Sequence, residues 1–208
     1  MSELSRKNHW EKVYKKKKTE DVSWYQLNPK TSVELILSLN PEKEDSIIDI
    51  GGGDSLLADN LIEFGFKRIF VLDISSEALE RSCKRLFNKR EYLNWLHSDI
   101  TDFKTDLRFY IWHDRATFHF LTDREDIKKY VTAVEEYIKP KGYMILSTFS
   151  MSGPNKCSGL DVKQYSEDSI KRTFRVGFDF VKSFDEVHTT PSSIKQNFIY
   201  CLLQRKEQ

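Results

Sequence analysis

Three consecutive glycines, Gly51–Gly53, separate an apolar run, SIIDI, from a segment with helical spacing, LLADNLIEF. Glycine allows backbone conformations that other residues avoid and lets a ligand approach the main chain closely. Between a buried strand at 46–50 and a helix at about 54–64, such a joint falls at the carboxyl end of a strand. Open parallel sheets bind their ligands there. The helix is expected to offer free N–H groups and the positive end of its dipole to a carboxylate or phosphate. A dinucleotide fingerprint requires a small residue after the glycines, and Leu56 holds that place. A pyrophosphate therefore fits poorly, and a smaller anionic group such as an amino-acid carboxylate fits better.

Helical and strand-like periods alternate along the chain, the pattern of an α/β domain. Helices are expected at 5–17, 30–39, 76–89, 124–138 and near 166–174, and further strands in RIFVLDI, YLNWLHSDI, LRFYIWHD and YMILSTF. Ser75 and Ser76 suit a helix cap. The last two strand-like runs, FDFVKSFDEVHTT and IKQNFIYCLLQR, are separated by only a few turn residues. Parallel pairing needs a long crossover, so this link predicts an antiparallel hairpin. The expected architecture is a Rossmann-like, mostly parallel seven-stranded sheet, closed by that hairpin and covered by helices on both faces. Residues 1–208 read as one domain, with an N-terminal helical segment at 1–40 and a core at 41–208.

Thirty-three basic and 32 acidic side chains leave a net charge of +1, which gives no global attraction to nucleic acid or to an anionic membrane. The run Lys15–Lys18 reads as a solvated helix end. Cys83, Cys157 and Cys201 are odd in number and lack metal-site spacing, so reduced thiols in a cytoplasmic protein are expected, with no bound metal. No apolar run suits a signal peptide or a bilayer span.

Two acidic residues stand at successive strand ends. Asp73 lies 22 residues after Gly51, where a carboxylate can accept hydrogen bonds from ribose hydroxyls. Asp99 is followed by Ile100, a pair able to take an adenine amino group and pack its face. With DIGGGDS, VLDIS and HSDI in this order, the chain resembles the class I S-adenosylmethionine-dependent methyltransferases over about residues 45–205. The resemblance implies S-adenosylmethionine as cofactor. Asp49, Gly51, Gly52 and Gly53 would lie at its methionine part, Asp73 and Ile74 at the ribose, and Asp99 and Ile100 at the adenine. Trp24, Tyr25 and His113 are further candidates for contact. The runs HWEKVY, VSWYQLNP, WHDRATFHFLTD, CSGLDVKQYS and HTTPSSIKQNFIYC resemble one largely uncharacterised subfamily. Its members usually carry an acidic residue where Tyr110 stands, and in the wider family that residue often closes the fourth strand.

Methyl transfer asks mainly for geometry, because the cofactor carries the activated group. Catalytic candidates follow strand four: His113 as a base, Asp114 to orient it or bind a cation, and Arg115 to bind an anion or pair with Asp114. His119, between Phe118 and Phe120, reads as a satisfied buried histidine. No Asn/Asp-Pro-Pro-aromatic motif follows strand four, and no basic stripe is present, so a nucleic-acid acceptor is not expected. Trp10, Tyr14, Trp24 and Tyr25 read as a lid, and the loop at 150–165 as the opposite wall. The acceptor is read as a small molecule, with a protein lysine as the alternative, since some lysine methyltransferases begin with a W-x-x-x-Y helix and an aromatic loop. A catalytically silent cofactor-binding module is the remaining reading of another class, a nicotinamide-dependent oxidoreductase being disfavoured by Leu56 and the closing hairpin. A monomer is the default.

Overall fold

The computed structural model describes residues 3–207. In chain order the elements are α1 (Glu3–Lys16), a 3-10 turn at Thr19–Asp21, α2 (Lys30–Ser38), β1 (Ile47–Ile50), α3 (Leu57–Glu63), β2 (Ile69–Asp73), α4 (Ser76–Arg85), a 3-10 turn at Phe87–Tyr92, β3 (Leu93–His97) and β4 (Phe109–Arg115). A 3-10 turn at Phe118–Phe120 leads to α5 (Arg124–Tyr137), β5 (Ile138–Phe149), the two-residue strands β6 (Lys156–Cys157) and β7 (Leu160–Asp161), α6 (Glu167–Phe174), β8 (Phe178–Thr189) and β9 (Lys195–Arg205).

The seven-stranded sheet runs in the order β3-β2-β1-β4-β5-β9-β8. Its first five strands are parallel, β9 is antiparallel to β5, and β8 is antiparallel to β9. The expected mostly parallel sheet and its closing hairpin are both present. Because side chains alternate across a strand, each strand feeds two cores. Ile47, Ile69, Val71, Ile111, Ile145 and Tyr200 pack with residues of α2, α3 and α4 on one face. Ile48, Ile50, Phe70, Trp112, Met144, Leu146 and Cys201 pack with residues of α5 and α6 on the other. Each such fully buried aliphatic or aromatic side chain stabilises the fold by roughly 1.5–3 kcal/mol.

Four boundaries differ from the sequence reading. Helix α3 begins at Leu57, because Ser55 N–H donates to Gly52 O at 2.7 Å and carries the glycine turn three residues further. Its expected N-terminal anion site is thereby displaced: α3 has only seven residues, and what faces the strand ends is the loop itself. Helix α4 stops at Arg85 and gives way to a 3-10 turn. Strand β3 stops at His97, and Asp99 instead closes a turn by accepting from Thr101 N–H at 2.9 Å. Strand β5 starts immediately after α5, with a register shift opposite Phe109 and Ile111 that absorbs Pro140–Gly142.

Helix α1 lies across the carboxyl ends of the strands and is tied down at three places. Arg6 pairs with Asp99 at 2.9 Å and with Asp126 at 2.5 Å. The Glu11 carboxylate accepts from Ser76 N–H at 2.7 Å and Ser76 Oγ–H at 2.9 Å, satisfying the start of α4 beside the Ser75 cap. Arg81 of α4 donates to the carbonyls of Tyr14 and Lys17. Lys15–Lys18 are all exposed, as expected for a solvated helix end.

Candidate active site

The carboxyl ends of β1, β2 and β3, those of β4 and β5, and the start of β9 open into a cleft of about 820 Å³, open solvent included. Its floor includes Gly51, Asp73, Ile74, Ser98 and Ile100 on one side, and Arg115, Thr117, Phe149, Gln196 and Phe198 on the other. The roof is the N-terminal segment: Arg6, Trp10, Tyr14, Ser23 and Trp24, and Cys157 also lines the cleft. Trp10 stacks edge-on against Trp24 and Phe120 at 5.7 and 5.0 Å between ring centres, so roof and floor join as one aromatic cluster. A second cavity of about 520 Å³, open solvent included, lies at the glycine loop, lined among others by Tyr25, Ser32, Asp49, Gly52, Asp54 and His113. Trp24, Gly51 and Arg115 line both.

The glycine turn is tight against its own surroundings. Gly51 and Gly53 have φ of +65° and +45°, a region that side-chain-bearing residues rarely enter. A Cβ on Gly52 would stand 2.5 Å from Asp49 Oδ2, and one on Gly53 2.8 Å from Asp73 Oδ2 and 3.0 Å from Tyr14 Oη. Asp73 and the Tyr14 phenol thus converge on the loop. Asp49, Asp54 and Asp73 are each buried, which concentrates negative charge around the glycines. Burial pushes the Asp73 carboxyl up to about 7 against the hydrogen bond from Ser75 N–H, and the charges of Asp54, Asp49 and Glu11 push it the same way. The same surroundings, burial first, raise the Tyr14 phenol.

The three neighbours His113, Asp114 and Arg115 do not form a constellation. Strand alternation sends His113 to the α2 face and Asp114 to the α5 face. His113 Nδ1 lies 2.7 Å from Asp49 Oδ1, and Nε2 lies 2.9 Å from Ser32 Oγ, so both ring nitrogens are engaged. Asp49, and not Asp114, orients the imidazole. Asp114 is fully buried and accepts from Thr117 N–H at 3.0 Å, Phe118 N–H at 3.2 Å and Tyr130 Oη–H at 2.7 Å. Burial lifts its carboxyl to about 6 although these three bonds oppose the rise. Arg115 reaches over β5 to β9, donating from Nε to Tyr200 Oη and from Nη1 to the Trp24 carbonyl, both at 3.1 Å. It makes no pair with Asp114. His119 is buried as expected and is only half satisfied: Nδ1 accepts from Phe149 N–H at 3.3 Å, while Nε2 has no partner. Burial, with the nearby Arg115 charge, lowers its pKa to about 3.

Of the other sequence candidates, Trp24 lies between the cavities, Tyr25 is beside the second, and Asp99 is held by Arg6 and Thr101. Tyr110 is the second residue of β4, at the end of the strand away from the cleft, packed edge-on against Tyr143. Position 110, expected to close the fourth strand, therefore lies near its start. Thr117, whose Oγ–H donates to Ile50 O at 3.0 Å, and Arg6 are parts of the site that residue spacing does not reveal. A left-handed residue at Ala116, φ +71°, turns the chain off β4 and places Thr117 under the glycines. Among the described residues no group of three His, Cys, Asp or Glu side chains is arranged to hold a metal ion, and no helix is long and apolar enough to cross a membrane.

Residues 47–142 match the family model described as a methyltransferase domain. The EEF1A lysine methyltransferase 2 of Danio rerio is 26% identical over 198 residues, covering 87% of this chain and 78% of that protein. The N-methyltransferase NodS from Bradyrhizobium japonicum, solved with S-adenosyl-L-homocysteine, superposes with a TM-score of 0.73 at 16% identity, over 95% of this chain and 98% of NodS. A structure from work on the conversion of a disulfide bond into a thioacetal group during echinomycin biosynthesis gives 0.79 at 15% identity, over 96% and 93% of the two chains. Far diverged from those structures in sequence yet superposable along nearly its whole length, the chain has the fold of the class I S-adenosylmethionine-dependent methyltransferases.

Proposed function

We propose that this chain transfers the methyl group of S-adenosylmethionine to a small-molecule acceptor. The cofactor, when bound, supplies a methyl group already activated on a sulfonium, so the protein's part is to hold two reactants in line and exclude water. The residues present fit that cofactor. The glycine loop leaves backbone bare for its amino-acid end, beside Asp49, Tyr25 and His113. The buried carboxylates of Asp49, Asp54 and Asp73 favour its positive charge. Asp73 would accept from the ribose hydroxyls, and Ile74 and Ile100, which line the same cleft, would wall the base.

The roof carries the choice of acceptor. Trp10 and Trp24 stack with each other, and Trp10 with Phe120 after β4, which leaves an aromatic-walled chamber beside the cofactor's place. A small flat molecule fits such a chamber better than a folded protein surface does. Arg115 is the catalytic-site candidate that reaches this chamber. To serve as a base, His113 would first have to release Ser32, and Asp114 acts as an anchor for the turn after β4. A protein-lysine acceptor is the second reading, favoured by the likeness to the Danio rerio lysine methyltransferase across 87% of this chain. Incubation with methyl-tritiated cofactor and cell-extract fractions separates the readings. Counts in low-mass metabolites support the first, counts in a protein band the second, and an absence of counts despite cofactor binding a silent binding module.

Cofactor binding should also depend on pH in a defined direction. Only ionised Asp73 can accept two hydroxyl hydrogen bonds, and its carboxyl is held near about 7 in the free protein. Below that value binding must expel a proton, so affinity for S-adenosylhomocysteine should rise by up to about tenfold per pH unit and level off above it. Titration calorimetry across about pH 5.5–8.5 checks this. Asp73→Asn should bind more weakly with a flat profile, and a wild-type profile that falls with pH would exclude this role for Asp73.

A further inference from the structure

We infer that Arg115 is the receptor for a negatively charged group on the acceptor, so that the substrate is an apolar, flat anion and not an amine cation. The inference rests on the methyltransferase reading above and names the class of its second substrate. Two of the five guanidinium N–H groups are bonded, Nε–H to Tyr200 Oη and one on Nη1 to the Trp24 carbonyl, and the guanidinium carbon lies 4.9 Å from the centre of the Phe198 ring. Nη2 is buried and has no hydrogen-bond partner. Neither named hydrogen-bond partner is a carboxylate, so the charge is bonded only to a phenol and a carbonyl. A buried donor without an acceptor costs about 1–3 kcal/mol, and more when charged. Arg115 lines the cleft, so a small shift of its side chain would turn Nη2 toward an acceptor bound there and remove that cost.

The direction of the side chain identifies that partner. Arg115 leaves the end of β4 and spans β5 to reach β9, the half of the sheet remote from Asp73 and Asp99. Around it the cleft presents Trp10, Trp24, Phe120, Phe149 and Phe198, with Gln196. The one carboxylate lining this cleft is Asp73, at the end of β2. An ammonium entering this half meets the like charge of Arg115, with no carboxylate on its side to offset the repulsion. A carboxylate, phenolate or thiolate on an aromatic or other flat apolar body meets a charge-assisted donor and matching walls.

Benzoate, benzamide and benzylamine share one ring and differ in charge, which makes them suitable probes. Each is titrated by calorimetry, to about 10 mM, into the protein saturated with S-adenosylhomocysteine. Benzoate should bind at least about tenfold more tightly than the other two. Arg115→Met should erase that preference, and Arg115→Lys should keep part of it. The wild-type ranking stands as a test even if Arg115→Met does not fold. Tight S-adenosylhomocysteine binding without benzoate preference, or with benzylamine preferred, overturns the anion receptor alone. Loss of cofactor affinity in Arg115→Met with the benzoate preference intact also overturns it, since the guanidinium then serves the cofactor. Failure of the wild type to bind S-adenosylhomocysteine removes the methyltransferase reading, and this inference with it.

Discussion

Gly51→Ala should lower affinity for S-adenosylhomocysteine by about a hundredfold or more, while Gly159→Ala leaves it unchanged. Both glycines have positive φ, +65° and +80°, so both substitutions carry the backbone penalty of a left-handed residue, about 1–2 kcal/mol. They differ in what the new methyl group meets. At Gly159 nothing lies within 4 Å. At Gly51 the methyl overlaps the hydroxyl of Thr117 and stands 3.1 Å from its Cβ. Thr117 cannot turn away freely, because its Oγ–H is bonded to Ile50 O and its N–H to Asp114 Oδ1. The loop must therefore shift as a unit, and with it the bare backbone proposed to face the cofactor. Calorimetry of the matched pair isolates contact from strain. Equal affinities in the two variants would show that the loop is a turn and no cradle.

How much of this was readable beforehand follows from where the physics is local. The strand SIIDI and its glycine turn were legible because burial on both faces and positive φ each demand particular residue types. The closing hairpin was legible because a few turn residues cannot make a parallel crossover. The start of α3 was misplaced, since nothing in DSLL announces that Ser55 N–H bonds back to Gly52. The run HDR looked like a catalytic group because its members are adjacent in sequence. On a strand, adjacency means opposite faces, and applying that period of two would have separated His113 from Asp114 in advance. The partners themselves stayed hidden. Asp49 and Ser32 on His113 are 64 and 81 residues away, and Arg6 lies 93 residues from Asp99, distances over which sequence spacing carries no information.

Asp114→Ala should be the most destabilising substitution in the site, costing about 3–5 kcal/mol. The carboxylate is fully buried, and its loss leaves Thr117 N–H, Phe118 N–H and Tyr130 Oη–H without an acceptor. Tyr130 Oη also accepts from Trp112 Nε1 at 3.1 Å, so the damage extends into the core beneath the sheet. For a chain of this size that loss lowers Tm by roughly 10–15 °C. Asp114→Asn keeps one acceptor oxygen and should cost less, about 1–2 kcal/mol. The two variants also make the pH sign testable. The folded-state carboxyl sits near about 6, above its unfolded value, so the native protein holds the extra proton between about pH 4 and 6. Wild-type stability from this group is therefore greatest at the acid end and declines as pH rises through that window, whereas asparagine has no proton to lose. The gap in Tm between wild type and Asp114→Asn should narrow from about pH 4 to 6 and stay constant above it. Thermal unfolding at several pH values reads this directly. An Asp114→Asn protein with unaltered Tm at every pH, but turnover reduced by about a hundredfold, would instead place Asp114 in the chemical step. The turn that carries Thr117 would then need another anchor, and Asp114 is the side chain bonded to the N–H groups of both Thr117 and Phe118.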